Sequence, residues 1–170
     1  MVAEHLFSGS AVNSIGSDGA VRLPSFIRRV VEGGTGTGRM MVGAHASDPC
    51  LTAWEPRRAP VLYAEIERRR LRDEAAGAPI AEHHARARQA FGFVEDAIIA
   101  RGRMIIPPMM RRKGRIGERV LFIGTGAGFE IWDPELAREA GDPALREIAE
   151  YRMGIEADQG GLAEREEKQI

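Results

Sequence analysis

Apolar residues in this chain fall into short blocks, each closed by glycine, proline or charge. "VRL" (21–23) and "MII" (104–106) are too short for helices and predict strands. Pro24 and Pro107 follow them. Proline has no N–H to give a ladder, so it ends a strand or opens a helical turn. The turns that follow carry Phe26-Ile27-Arg28-Arg29 and Met109-Met110-Arg111-Arg112. "RMMVGA" (39–44) and "RVLFIG" (119–124) predict a second strand in each place, and "CLTAW" (50–54) and "GFEIW" (128–132) a third. In "FEIW" the period is two, with Phe129 and Ile131 on one face and Glu130 and Trp132 on the other. Asp133 then reads as a helix N-cap with Pro134 at the first helical position. Asp142-Pro143 repeats the device for a last helix through "PALREIAEYRM". Residues 59–75 predict a helix with Leu62, Tyr63 and Ile66 on one face and arginines opposite. Gly77 and Pro79 interrupt it, and residues 80–91 predict a second, more polar helix.

The blocks occur twice. Displaced by 83 residues, "GAVRLPSFIRR" (19–29) lies on "GRMIIPPMMRR" (102–112), matching Gly19 to Gly102, Pro24 to Pro107 and Arg28-Arg29 to Arg111-Arg112. "RMMVGAH" (39–45) echoes "VLFIGTG" (120–126). "LTAWEP" (51–56) echoes "FEIWDP" (129–134) at a displacement of 78. Three similar pieces in one order indicate duplication, with loops of unequal length absorbing the drift. The expected organisation is a first repeat over 6–56, a helical insert over 57–92, a second repeat over 93–134, C-terminal helices over 135–153, and an acidic, disordered tail over 154–170. The fold class is α+β and β-rich.

Composition narrows function more than fold. The 170 residues are 44% hydrophobic and 29% charged, enough for a packed core. No apolar run approaches the ~20 residues that span a bilayer, so no membrane partner is expected. "MVAEHLFSGSAV" does not read as a secretory signal. A single cysteine, Cys50, builds neither a disulfide framework nor a Cys-based zinc site, and points to a reducing cytoplasm. The net charge of −1 hides a balance of +5 over residues 1–132 and −6 over 133–170. Lys113 and Lys168 are the only lysines. Arginine forks suit phosphates and guanine edges, although a GC-rich genome favours arginine too.

No catalytic constellation is present. "GTGTG" (34–38) and "GTGAG" (124–128) lack the Gly-Lys-Ser/Thr of a phosphate loop and read as hairpin turns. His83 and His84 point about 100° apart on a helix, which suits a solvent-facing surface better than chelation. Ser8, Ser10, Ser14 and Ser17 have no nucleophile motif around them. Trp54 and Trp132, in matching positions, read as core or subunit packing, and Cys50 as a small core residue. The chain is therefore not expected to be an enzyme, and no cofactor or metal site is assigned.

"FSGSAVNSIGSDGAVRLPSFIRR", "PCLTAWEP" and "GRMIIPPMMRRKGRIGERVLFIGTGAGFEIWDPE" resemble the MraZ family, over roughly residues 6–153. These are bacterial transcriptional regulators associated with the division and cell-wall gene cluster, in the AbrB/SpoVT-like swapped-hairpin group. The resemblance implies duplicated AbrB-like β-barrel halves around a pseudo-two-fold axis. It also implies a ring-shaped homo-oligomer bound to double-stranded DNA at direct repeats upstream of its own operon, acting as a repressor, cytoplasmic and nucleoid-associated. The family signature is Asp, three residues, Arg, once per half. Here its positions hold Gly16 and Ala20 in the first half, and Ile99 and Arg103 in the second.

The candidate DNA-binding residues are thus Arg103, Arg101, Arg22, Arg28 and Arg111. Arg22 is a candidate replacement for the arginine missing at Ala20. For each, two readings stand: contact with a phosphate or guanine, or an ion pair that holds the barrel edge. The run Arg111–Arg119 reads either as a phosphate-positioning patch or as a solvated helix end. A chain that kept its assembly and lost specific DNA recognition is the alternative function.

Overall fold

The computed structural model describes residues 6–33 and 38–154. Eight strands form one antiparallel sheet: β1 (Ser10–Ser14), β2 (Ala20–Arg22), β3 (Arg39–Ala44), β4 (Leu51–Trp54), β5 (Val94–Ala100), β6 (Arg103–Ile105), β7 (Arg119–Gly124) and β8 (Phe129–Trp132). The helices are α1 (Ser25–Gly33), α2 (Ala59–Ala75), α3 (Ile80–Phe91), α4 (Pro108–Lys113), α5 (Pro134–Glu139), and α6 over residues 143–154. The strand order is β1-β7-β8-β4-β3-β5-β6-β2, and an Ile15–Val21 bridge brings the two outer strands together into a nearly closed barrel.

The register carries the duplication. Val21 pairs with Met104, its own copy 83 residues on. Thr52 pairs with Glu130, its copy 78 residues on. A pseudo-two-fold axis therefore passes through both pairs. The hairpins exchange partners across it: β1 of the first half pairs with β7, and β5 of the second half pairs with β3. Leu23 N donates to Gly102 O and Ile106 N to Gly19 O, both at 2.9 Å, the same bond made twice.

Inward-facing residues fill the barrel, among them Phe7, Met40, Met104, Phe122 and Phe129, each at most 2% exposed. Phe7 and Phe122 stand 5.4 and 6.0 Å from Phe129, ring to ring. Burying each such side chain is worth roughly 1.5–3 kcal/mol, so these strands of three to seven residues are held mainly by their shared interior. A second cluster lies outside the barrel. Leu121, Trp132 and Cys50 pack there against Ala137 of α5 and Leu145 and Ala149 of α6. Asp133 caps α5 as its sequence suggests, its Oδ1 accepting from Glu135 N at 3.0 Å.

Several expectations shift. β2 and β6 begin and end one residue earlier than the apolar blocks, because Arg22 and Arg103 pair as strand residues while Leu23 and Ile106 leave the ladder. β1 and β5 are strands that the sequence reading did not assign. Tyr63 is 58% exposed, because the face of α2 that meets the barrel is set by Leu62 and Ile66, one helical turn apart. His83 is not solvent-facing: its side chain is 15% exposed, with Nε2 3.9 Å from Glu67 of α2. "GTGAG" is a hairpin turn, with Thr125 N donating to Gly128 O at 2.9 Å. Residues 34–37 of "GTGTG" and the acidic tail beyond residue 154 lie outside the described residues.

Candidate nucleic-acid interface

β2 and β6 form a short antiparallel ribbon within the barrel, with β5 on the other side of β6, and their inward residues, Val21 and Met104, are sealed in the core. Alternation sends their neighbours outward. The register sets Arg22 directly opposite Arg103, and Ala20 opposite Ile105. Both arginines are exposed, and neither has an ion pair among the described residues. Like charges placed directly opposite each other weaken a ladder, so the ribbon carries a repulsion that nothing described within the chain cancels.

The turns preceding the two strands differ. In the first, Gly16 N donates to Ala20 O and Gly19 N to Gly16 O, both at 2.9 Å, and Asp18 Oδ1 accepts from Ala20 N at 3.0 Å. Asp18 is thus turned onto its own backbone. In the second, Arg101 and Gly102 form a two-residue turn with φ of 54° and 71°. Two left-handed residues match the twist of a tight hairpin, but for arginine that conformation costs about 1–2 kcal/mol. Ile99 pairs with Met104, whereas the equivalent partner of Val21 is Ile15, so the second half is displaced by one residue. Ile99, where the family signature has Asp, packs against the barrel core.

Each turn is braced by the other half. A Cβ on Gly102 would lie 3.3 Å from Arg28 Cδ of α1, and one on Gly19 would lie 3.6 Å from Arg111 Cδ of α4. Arg111 Nη1 donates to Ser17 O at 3.4 Å, while Arg28 Nε is buried without a hydrogen-bond partner. Four of the five candidates, Arg22, Arg28, Arg101 and Arg103, therefore gather at the second turn. Arg111 braces the first, separately.

Arg22 does not occupy the place of Ala20 on the ribbon. It sits beside Arg103, on the far side of the axis from Ala20. The ribbon is polarised as a result. One end is basic; the other is apolar, where Ile105 (53% exposed) lies between Ala20 and Ile98 (70% exposed). The basic run 111–119 disperses: Lys113 Nζ stands 3.7 Å over the Phe93 ring, and Arg119 lies 3.6 Å from Glu135. Two contacts unseen in the sequence support the site. Asn13 Nδ2 donates to Arg22 O at 2.6 Å, and Arg39 of β3 pairs with Asp96 of β5 beside Ile98. Both depend on β1 and β5.

Among the described residues, His45, Cys50 and Glu130 bring ligand-type atoms within 4.8 Å of one another. His45 Nδ1 accepts from Asp48 N at 2.9 Å, which occupies that lone pair and leaves the ring proton on Nε2. Burial, then Glu130 and Asp48, push the Cys50 thiol far above its ordinary range, so it stays protonated. Glu130 accepts from Trp132 Nε1 at 3.0 Å. His45 and Glu130 thus already hold hydrogen bonds within the chain, and of the three only Cys50 is buried.

No protein-family model matches the chain. It is 26% identical over 145 residues to Transcriptional regulator MraZ of Pseudomonas syringae pv. tomato, covering 84% of this chain and 90% of that protein. It is 27% identical over 151 residues to the protein of that name from Heliobacterium modesticaldum, covering 85% and 95%. The one from Caldanaerobacter subterraneus is 28% identical over 152 residues, covering 86% and 96%. With a duplicated swapped-hairpin barrel and alignment along most of each protein, the chain is similar to these MraZ regulators over nearly its whole described length.

Proposed function

We propose that this chain is a DNA-binding transcriptional regulator, acting as a ring-shaped homo-oligomer on direct repeats upstream of its own operon, which it represses. The observation that carries the reading is the Arg22–Arg103 pair: two exposed guanidinium groups on opposed strand residues, without an internal counter-charge among the described residues. A phosphate between them removes the repulsion. Arg101 adds a third guanidinium at the same turn, in a backbone conformation that arginine seldom takes. The relatives named as transcriptional regulators support the same reading. A chain of net charge −1 has little general attraction for DNA, so affinity comes from this local basic end, multiplied over subunits. Salt-titrated binding to DNA carrying the upstream repeats tests it. Specific binding that weakens with salt and with Arg103→Ala is expected; equal, weak binding to repeat and scrambled DNA refutes it.

One observation favours a second reading. Ile98 and Ile105 form an exposed apolar pair where the ribbon lacks its first arginine. A chain that kept its assembly and lost specific DNA recognition would use that surface for protein contact.

A further inference from the structure

We propose that the cleft between the helical insert and the barrel is a binding site for a small amphipathic anion, a molecule with an apolar body and one carboxylate or sulfonate. The cleft measures about 680 Å³ and lies between α2–α3 and the strands β3 and β4. That volume is typical of small-molecule sites.

The duplication shows why the space is unusual. On the second half, α5 and α6 close over Trp132, which is 1% exposed, with Leu145 and Ala149 packed in. On the first half, the matching tryptophan, Trp54, lines an open cleft. Small residues line it on both sides: Gly43, Ala44 and Ala53 on the sheet, Ala85 and Ala90 on α3. α2 buries only Ile66, and α3 buries no residue fully. An apolar body in the cleft would be held by Leu62, Ile66 and Trp54.

Guanidinium groups supply the charged lining of the cleft. Arg58, Arg69 and Arg86 line it, and no carboxylate does. Arg58 and Arg69 reach acids only loosely, Glu65 at 3.4 Å and Asp73 at 3.9 Å. Arg86 Nη2 lies 2.9 Å from Asp73, but its Nη1 is buried without a hydrogen-bond partner. A buried, unpaired donor of a charged group is costly, and an anionic oxygen would satisfy it. The site is independent of the arginine ribbon and goes beyond the DNA-binding reading.

The probe is 8-anilinonaphthalene-1-sulfonate with the full chain. The expected result is saturable binding at one probe per chain, with energy transfer from tryptophan that Trp54→Phe reduces to the share from Trp132. Ala90→Phe, which fills the cleft from its wall, should abolish binding, and Arg86→Gln should weaken it about tenfold. Circular dichroism confirms that each variant is folded. Absent or non-saturable binding overturns the proposal, as does binding unchanged in folded Ala90→Phe and Arg86→Gln chains.

Discussion

Replacing Arg22 by glutamine separates the two readings of the ribbon, because they predict opposite signs. Glutamine keeps the length of the side chain and removes its charge. In the structure Arg22 faces Arg103 across one ladder pair, with no acid between them. Two unit charges ~6 Å apart repel by about 0.7 kcal/mol in water. A Debye length of ~10 Å at 0.1 M salt roughly halves that. The variant should therefore be more stable by about 0.3–0.7 kcal/mol, a rise in Tm of roughly 1–2 °C for a chain of this size. DNA binding should move the other way. Losing one phosphate contact per engaged subunit flattens the plot of log affinity against log salt by about 0.9 for each. Differential scanning calorimetry at low and high salt gives the first quantity, and fluorescence anisotropy with repeat-bearing DNA the second. A variant that is less stable and binds DNA with an unchanged salt slope would refute the reasoning, since that is the behaviour of an arginine holding the barrel edge.

The fold makes further predictions. Gly19→Ala places a Cβ 2.9 Å from Ile106 O at a φ of 84°, and should cost about 1–3 kcal/mol in urea unfolding. Gly126→Ala, at a φ of 86° with open space around it, should cost only the left-handed strain of about 1–2 kcal/mol. Asp133→Ala removes the cap of α5 and a 3.2 Å bond from Gly117 N, and should cost about 1–2 kcal/mol by the same measurement. The Cys50 thiol is raised in the folded state, so its contribution is complete below the unfolded value of about 9 and is lost as pH rises above it. Unfolding free energy should then fall by up to about 1.4 kcal/mol per pH unit, a slope that Cys50→Ala should lack.

The duplication was legible because both copies kept the same short apolar blocks, and the register then paired each axial residue with its own copy. β7 and β8 were legible because they are apolar and period-two. β1 and β5 were not. "SAVNS" is mostly polar, and "VEDAIIA" holds two acids that local patterning reads as a break, while their burial depends on β7 and β3 more than 50 residues away. The candidate arginines could be picked out by type and by the glycine before them. Their grouping could not, because it depends on a cross-half register that no local window contains. Arg22 reads as the equivalent of a lost residue in sequence and as the neighbour of Arg103 in space.

Residue-resolved arginine modification is the most direct test of the arginine ribbon as the DNA-binding face. The chain is treated with phenylglyoxal, with and without repeat-bearing DNA, and each site is read by mass spectrometry. Arg22, Arg101 and Arg103 should be protected by DNA, while Arg68 and Arg72, exposed on the helical insert, should stay reactive. Unprotected ribbon arginines in a saturated complex would contradict the account.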